Sequence, residues 1–427
     1  MRKVAFHTLG CKVNQYETEA MLELFKKDGY EEVKFEELAD VYVVNTCTVT
    51  SLSDKKCRQM IRRAHKSNEE AVIVVVGCYV QNDPETVKAI EGVNVILGTN
   101  EKKDIVAKVE EYKKEKNVIE VVDDLKQVNV FEELEIENTL DKTRAFLKIQ
   151  EGCNQFCSYC IIPYVRGRIR SRDIDNIIRE AKRLVENGFK EIVLTGIHVA
   201  SYGKDLEEEI SLLDVIEKVH SIEGLVRLRL SSIEPRIITE EFAKRLSELE
   251  KVCDHFHLSL QSGSEKVLKE MNRKYTKEEY MNGVKNLRKY MPDVSITTDI
   301  IVGFPGETEG EFEESLEFAK EVGFSQTHVF AYSKREGTVA AKREDQISNN
   351  VKADRSKQMI ELTNKSEVEF LNSQIGKVYE VLLEDEKVGH TTNYLKVEID
   401  KSQRKNELVN VKIIGVNIKK NILIGAI

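Results

Sequence analysis

Three cysteines lie close together in the middle of the chain, at Cys153, Cys157 and Cys160, with the spacing C-x3-C-x2-C. They directly follow a strand predicted over Ala145–Gln150, so all three thiols fall on one loop. Three thiolates can hold a four-iron cluster and leave one iron without a protein ligand, and an open metal position is typical of a catalytic centre. The spacing therefore predicts a catalytic [4Fe–4S] cluster.

A zinc loop that borrows a fourth ligand is the alternative for these three cysteines. Zinc spacings usually come as paired Cys or Cys/His sets, and no such pair is evident nearby. On the cluster interpretation, the open iron would chelate the amino and carboxylate groups of S-adenosylmethionine. One electron would then cleave the sulfonium to a 5′-deoxyadenosyl radical. Tyr159 fits either a contact with this cofactor or simple packing.

Three further cysteines, Cys11, Cys47 and Cys78, each come just after a predicted N-terminal strand. Strands of a parallel sheet end at the same edge, so these distant residues are expected to converge. Gly10 and Gly77 would let the backbone bend tightly there. A single cysteine is as often a small buried apolar residue, but three at equivalent positions favour a second three-thiolate cluster.

The chain has 427 residues, which suggests two or three domains. Its net charge of −9 argues against a protein that binds nucleic acid by bulk charge. The longest apolar stretch, Ala71–Val76, is too short to span a bilayer, and the N-terminus lacks the apolar run of a signal peptide. We expect a cytoplasmic protein without membrane contact. In a reducing compartment, Cys57 and Cys253 are expected to be plain buried residues.

The fold class predicted from hydrophobic patterning is a multidomain α/β protein. Residues 1–115 alternate strands and helices around a buried strand at Ala71–Val76, which predicts a doubly wound parallel sheet. Residues 116–140 are charge-rich and read as a linker. Residues 141–370 hold six strand–helix units, too few for a closed eight-fold barrel, and predict a partial one. Residues 371–427 show short strands without helices, which is typical of a small all-β barrel.

The predicted central strands place further residues at their carboxyl ends, where such sheets carry their chemistry. These residues could contact the methionine, ribose or adenine part of the cofactor, and turn formation or strand packing explains each of them equally well. They are Thr195, Gly196, Ser232, Gln261 and Gly303.

After the cysteine loop, four arginines occur within one stretch of seven residues. Arginine suits bidentate phosphate contact and base stacking, so this stretch is a candidate RNA surface, with a solvated loop of ion pairs as the alternative. A basic predicted helix over Ser53–Lys66 is a second candidate, for which a plain charged face is at least as good an explanation. The four arginines are Arg166, Arg168, Arg170 and Arg172.

Taken together, these motifs resemble the radical S-adenosylmethionine methylthiotransferases over essentially the whole chain. The resemblance lies in LGCKVNQYE from Leu9, NTCTVT from Asn45, VGC from Val76, CNQFCSYCIIPYVRGRIRSR from Cys153, LSLQSG from Leu258 and GFPGET from Gly303. Within the family, GCKVNQYE and IIPYVRGR are most similar to the branch that acts on N6-threonylcarbamoyladenosine at position 37 of tRNA.

The resemblance implies two [4Fe–4S] clusters, two equivalents of S-adenosylmethionine, a tRNA substrate and an electron donor such as a flavodoxin or ferredoxin. The three N-terminal cysteines would hold the cluster that carries sulfur. The C-terminal module resembles the RNA-binding TRAM domain, in which Lys396 is one candidate contact with tRNA. Rival interpretations are a methylthiotransferase for isopentenyladenosine in tRNA, one for a ribosomal-protein aspartate, and a non-catalytic iron–sulfur scaffold that binds RNA.

Overall fold

The computed structural model describes residues 2–136 and 143–427 as three consecutive units. The first is a six-stranded parallel sheet, the second a curved parallel sheet with helices outside it, and the third a closed barrel of five strands. This architecture confirms the fold class predicted from the sequence. None of the helices in the described part of the chain is long and apolar enough to cross a bilayer.

The N-terminal unit alternates strands and helices along the chain. Its elements are β1 (Arg2–Thr8), α1 (Lys12–Lys27), β2 (Tyr30–Val33), β3 (Val41–Thr46), α2 (Ser51–Ser67), β4 (Val72–Gly77), α3 (Cys78–Asn82), α4 (Pro84–Lys88), β5 (Val93–Leu97), α5 (Ile105–Glu115) and β6 (Ile119–Val121).

The strand order of this sheet is β2-β1-β3-β4-β5-β6, and all neighbouring strands are parallel. Strands β3 and β4 are buried at every residue because helices cover both faces. Apolar residues of α1 and α5 pack on one face, and those of α2, α3 and α4 on the other. The sheet therefore brings the ends of β1, β3 and β4 to one edge.

The stretch predicted as a linker packs against the rest of the protein. Strand β6 lies within it and extends the N-terminal sheet through pairing with β5. Further along, Leu134 and Ile136 are buried in the same apolar cluster as the central strands. The predicted boundary between residues 140 and 141 lies outside the described residues.

The central unit carries most of the helices. Its elements are β7 (Arg144–Glu151), α6 (Ile162–Arg166), β8 (Arg170–Ser171), α7 (Ile174–Glu186), β9 (Glu191–Gly196), α8 (Leu212–His220), β10 (Arg227–Leu230), α9 (Glu240–Ser247), β11 (His255–His257), α10 (Glu265–Glu270), α11 (Lys277–Tyr290), β12 (Ser295–Val302), α12 (Glu309–Val322), β13 (Gln326–Ala331) and α13 (Asn349–Asn372).

Strands β7, β9 and β10 form one parallel ladder and β11, β12 and β13 another, with β8 antiparallel at the outer edge. Two isolated bridges, Leu228–Val252 and Ile233–Leu258, join the ladders. Strand β11 ends at His257, and just beyond it the Thr298 hydroxyl bonds the backbone of Leu258 and Leu260. The result is an open, six-stranded partial barrel.

The C-terminal unit closes in the order β14-β15-β16-β18-β17. Its second strand is only three residues long. Tyr394 adopts a left-handed φ of +66° in the turn before the third strand. The elements are β14 (Val378–Leu383), β15 (Val388–His390), β16 (Lys396–Ile399), β17 (Leu408–Asn417) and β18 (Ile422–Ala426).

Candidate active site

The three N-terminal cysteines converge at the carboxyl edge of the first sheet, as the strand pattern predicts. Gly10 has a φ of +111°, and a β-carbon built there would lie 3.1 Å from the Sγ of Cys47. The loop that carries Cys11 is therefore packed directly against Cys47. Gly77 has a φ of +104°, and a β-carbon there would meet the backbone of Thr46 at 2.9 Å. Only glycine permits these approaches.

Polar side chains of the same motifs tie the three loops together. The amide of Asn14 donates to the carbonyl oxygens of Leu9 and Thr46 at 2.7 and 2.9 Å. The Thr46 hydroxyl donates to the carbonyl of Val76 and accepts from the backbone N–H of Tyr79. These bonds hold the backbone next to the three cysteines and so help to set the positions of the thiols.

The central triplet lies on the loop after β7. Backbone bonds hold this loop from both sides: Ser158 donates to the carbonyl of Met271, and Ala340 donates to the carbonyl of Ser158. The guanidinium of Arg273 donates to the Sγ of Cys157 at 3.3 Å. Hydrogen bonds to sulfur stabilise thiolates and are one of the levers that set the potential of an iron–sulfur cluster.

The short helix α6 joins the two cysteine sets. It begins two residues after Cys160, and its residues Ile162 and Val165, together with the preceding Ile161, pack against Cys78. At its end, the buried Arg166 donates from Nε to the Sγ of Cys78 at 3.1 Å. One element therefore contacts ligands of both predicted clusters.

Buried charge surrounds Arg166. Its two Nη atoms contact Glu17 at 2.6 and 3.1 Å, Glu151 at 3.1 Å and the amide oxygen of Asn14 at 2.6 Å. Lys148 contacts both of these carboxylates, Glu17 at 2.9 Å and Glu151 at 2.5 Å. Burial alone would raise the pKa of Glu151, but Lys148 and Arg166 lower it to about 2. The network keeps its carboxylates ionised and couples the first sheet to the partial barrel.

The thiols have the chemistry that iron requires. Burial raises the pKa of Cys78 and of Cys160 to about 12, and that of Cys153 to about 11. Each of these thiols would therefore release a proton when it binds a metal. Within residues 2–136 and 143–427, no group of three or more His, Cys, Asp and Glu side chains could share a single metal ion. A four-iron cluster does not require such a group, because its three cysteines bind three different irons.

A cavity of about 230 Å³ opens beside Cys160 of the central triplet. Val49 and Thr50, just past Cys47, form one wall, and Tyr159 and Cys160 form another. Its remaining lining residues are Ile161, Ile162, Gln261, Asp299, Ile301, Phe330, Ala331, Tyr332 and Ser333.

The cavity brings together two of the six residues predicted to contact the cofactor, Tyr159 and Gln261. Gln261 has a left-handed φ of +69°, which is unusual for a residue other than glycine and is found at functional positions. Thr195, Gly196 and Ser232 lie at the ends of β9 and β10 and do not line this cavity.

Gly303 does not line this cavity either. A β-carbon at this position would lie 2.4 Å from Cγ of Lys352, on α13. Its backbone N–H donates to the carboxylate of Glu307 at 2.6 Å, and that carboxylate pairs with Arg355. Glycine at this position therefore permits the close packing of α13, and its contact with the cofactor stays a prediction.

The predicted arginine surface requires correction, because three of its four members are buried. Arg166 belongs to the charge network described above. Arg170 donates to backbone carbonyls of residues 166 and 168, and Arg172 pairs with Glu180 and Glu133. Ion pairing, which was part of the alternative interpretation, describes Arg166 and Arg172, whereas Arg170 bonds backbone carbonyls. Only Arg168 is exposed.

In the C-terminal barrel, as among the arginines, some polar side chains are buried in an interface and others are exposed. Tyr394 lies between the guanidinium groups of Arg144 and Arg229, whose Cζ atoms are 5.1 and 4.5 Å from its ring centroid. Arg227 donates to backbone carbonyls of the barrel. These contacts fasten the barrel to the central unit. Lys396 is exposed on β16 and remains available for a partner.

The sequence analysis missed several residues that complete the site. Arg273 donates to Cys157 of the central triplet. Arg335 connects the central unit to the N-terminal unit, because its guanidinium donates to Asp54 and Thr48, close to Cys47, at 2.6 and 2.7 Å. Tyr332 lies in the cavity wall, and its buried hydroxyl has no hydrogen-bond partner among the described residues. Their positions depend on tertiary contacts between distant segments, so local sequence patterns carry no signal for them.

Two sequence profiles match the chain. The Radical SAM superfamily matches residues 147–319, and the Uncharacterized protein family UPF0004 matches residues 3–98. The matches cover the triplet with the partial barrel and the cysteine-bearing sheet, respectively. The fold and the cysteine loop therefore define a radical S-adenosylmethionine protein, a class that uses a [4Fe–4S] cluster together with S-adenosylmethionine.

Curated relatives refine this class. The threonylcarbamoyladenosine tRNA methylthiotransferase MtaB of Bacillus subtilis is 46% identical over 99% of this chain and 96% of its own length. The tRNA-2-methylthio-N(6)-dimethylallyladenosine synthase of Clostridium novyi is 41% identical over 96% of this chain and 93% of its own length. The chain belongs to the radical S-adenosylmethionine methylthiotransferase family of enzymes.

Solved structures support the fold. The radical S-adenosylmethionine methyltransferase TsrM of Kitasatospora setae superposes with a TM-score of 0.60 at 14% identity, covering 80% of this chain and 77% of its own. The radical enzyme OxsB superposes with a TM-score of 0.53 at 12% identity, covering 87% of this chain and 56% of its own. At these identities the likeness shows a shared architecture.

Proposed function

We propose that this enzyme adds a methylthio group to C2 of N6-threonylcarbamoyladenosine at position 37 of tRNA. The observation that carries the proposal is a cavity lined by Cys160 of the central triplet and by Val49 and Thr50, which closely follow Cys47, in a chain whose similarity to a threonylcarbamoyladenosine tRNA methylthiotransferase covers 99% of its length. A reaction that must bring a radical and a sulfur donor to the same carbon needs this kind of shared space.

The residues present fit two iron–sulfur clusters. Cys153, Cys157 and Cys160 would hold one, and Cys11, Cys47 and Cys78 the other. When bound, the clusters would supply the electron that cleaves S-adenosylmethionine and the sulfur that is transferred. The protein contributes N–H donors to the sulfurs, from Arg273 to Cys157 and from Arg166 to Cys78.

The cavity would receive the target base. At about 230 Å³ it is smaller than the ~300–1,000 Å³ of typical ligand pockets, which suits a flat ring. Ile161, Ile162 and Ile301 line it with apolar surface and would exclude water from a reactive centre. The hydroxyl of Tyr332 and the carboxylate of Asp299 are available to bond the polar edge of a base.

The tRNA would approach from the side of the cysteine loop. We assign phosphate contacts to Arg168 on that loop and to Lys396 on the C-terminal barrel, both of which are exposed. The exposed Lys55 and Lys56 of α2 are further candidates for phosphate contact. A cytoplasmic location and a flavodoxin or ferredoxin as electron donor belong to the same proposal, because the substrate and the reductant are cytoplasmic.

Expression in a host whose tRNA contains N6-threonylcarbamoyladenosine without the methylthio group tests the proposal. Mass spectrometry of tRNA nucleosides is expected to show a new species heavier by one methylthio group in place of one hydrogen. Cys157→Ala and Cys47→Ala should each abolish it, whereas the matched Cys253→Ala, outside both sets, should not. Absence of the new nucleoside with an iron-loaded protein would contradict the proposal.

A dimethylallyladenosine substrate is the second candidate, because an enzyme named for that substrate is 41% identical to this chain. Another MtaB relative, from Aquifex aeolicus, is 39% identical. Identity alone therefore does not separate the two substrates. The same nucleoside profile does, because the two products have different masses. A non-catalytic scaffold would yield neither product and release no 5′-deoxyadenosine.

A further inference from the structure

Two neighbouring aromatic rings, one on the cysteine loop and one on α6, project into solvent. Phe156, between Cys153 and Cys157, is 48% exposed, and Tyr164 on α6 is 50% exposed. Their ring centroids lie 6.0 Å apart with planes at 80°, an edge-to-face arrangement. Large exposed apolar groups that cluster on a folded surface commonly mark a site of interaction.

The backbone holds Phe156 in this exposed position. Its φ is +48°, in the left-handed region that bulky residues avoid. The side-chain amide of Asn272 donates to the carbonyl of Phe156 at 2.9 Å and to that of Gln155 at 3.5 Å. Asn272 is itself left-handed, with a φ of +58°. The fold thus maintains a strained loop that directs an aromatic ring outward, which is typical of functional sites.

Positive charge lies near the two rings. Asn154, two residues before Phe156, accepts from the backbone N–H of Ile169, the chain neighbour of the exposed Arg168. The exposed Lys274 donates to the amide oxygen of Asn272 at 2.7 Å, and the amide nitrogen of Asn272 bonds the carbonyl of Phe156. Over the described ranges, neither cation forms an ion pair. Exposed aromatic rings near unpaired cations match the chemistry of unpaired nucleotides, which offer flat bases and phosphates.

We propose that Phe156 and Tyr164 form a stacking platform for an unpaired RNA base adjacent to the modified adenosine, with Arg168 and Lys274 binding its phosphates. The platform adjoins the cavity, because Cys160, Ile161 and Ile162 of the same loop and helix form part of the cavity wall. A base held on the platform would therefore leave its neighbour at the cavity entrance. This inference rests on the proposed function, since it requires an RNA loop as the occupant.

Fluorescence titration of an anticodon stem–loop with the iron-loaded full chain tests the platform. The stem–loop carries 2-aminopurine next to the target adenosine, and stacking quenches its emission. Phe156→Leu, which keeps an apolar side chain without a π face, is expected to weaken binding about tenfold and to relieve the quenching. Phe156→Trp should retain both affinity and quenching, and Tyr164→Leu should lose affinity to a similar degree.

Leu38→Ala is the matched control, because Leu38 is an exposed apolar residue at the opposite edge of the first sheet. Its affinity should equal that of the wild type. If Phe156→Leu lowers iron content, Tyr164→Leu decides the outcome, since Tyr164 lies outside the cysteine loop. If an iron-loaded variant shows unchanged affinity and quenching, the platform is overturned. This holds even if a protein electron donor reduces that variant more slowly. A wild-type protein that binds no stem–loop would instead remove the proposed function and the platform with it.

Discussion

Replacement of Arg166 by methionine should destabilise the protein strongly, although this residue lies in a stretch that looks like an RNA-binding surface. Arg166→Met keeps an unbranched side chain and removes the charge that faces Glu17 and Glu151 at 2.6 and 3.1 Å. Loss of one partner from a buried ion pair costs about 3–5 kcal/mol. That is a large part of a typical stability of about 5–15 kcal/mol.

Urea unfolding followed by circular dichroism measures this cost. Arg179→Met is the control, since Arg179 pairs with Glu135 on the surface and such pairs contribute about 0–1 kcal/mol. Glu17→Gln should also destabilise, and the double variant should lose about 1–3 kcal/mol less than the sum of the single variants, because each single variant strands a buried charge. An unfolding midpoint of Arg166→Met equal to that of the wild type would refute the reasoning.

Three other predictions follow from the geometry. Cys57 is buried, and its thiol donates to the carbonyl of Cys47 at 3.3 Å, so it belongs to neither cysteine set. Iron analysis of Cys57→Ala should show full iron content. Cys47→Ala should lose about half of the iron, because it loses one cluster of two. Burial alone would raise the pKa of Glu191, but Arg229 lowers it to about 2 from an ordinary 4.5. The ionised Glu191 therefore contributes about 3 kcal/mol of stability, which is present above pH 4.5 and lost as the pH falls toward 2. Glu191→Gln should flatten that part of the pH profile of the free energy of unfolding. Tyr394→Ala removes the ring that Arg229 contacts and should lower stability by about 2–4 kcal/mol and speed limited proteolysis of the C-terminal barrel.

Much of the fold follows from local sequence. The apolar run of β4 predicts a strand buried on both faces, and a glycine before Cys11 and before Cys78 predicts tight bends at the sheet edge. Both features depend on residues that are adjacent in the chain. The edge strands β2 and β6 escaped prediction because they are short and carry charged or half-buried residues.

The roles of the arginines could not be predicted in this way. Arg166 and Arg168 are two residues apart and look alike in the sequence, yet one is buried and the other is exposed. The partners that determine this difference, Glu17 and Cys78, lie 149 and 88 residues away from Arg166. In the same way, Glu133 of the acidic stretch taken for a linker pairs with Arg172. Side chains whose environment is built by distant segments require the folded structure.

Deletion of the gene for this chain, followed by mass spectrometry of tRNA nucleosides, tests the central claim most directly. We predict that 2-methylthio-N6-threonylcarbamoyladenosine disappears and that N6-threonylcarbamoyladenosine accumulates in its place. Re-expression of the wild-type chain should restore the methylthio nucleoside, and re-expression of a Cys157→Ala chain should not. Persistence of the methylthio nucleoside in the deletion strain would contradict the account.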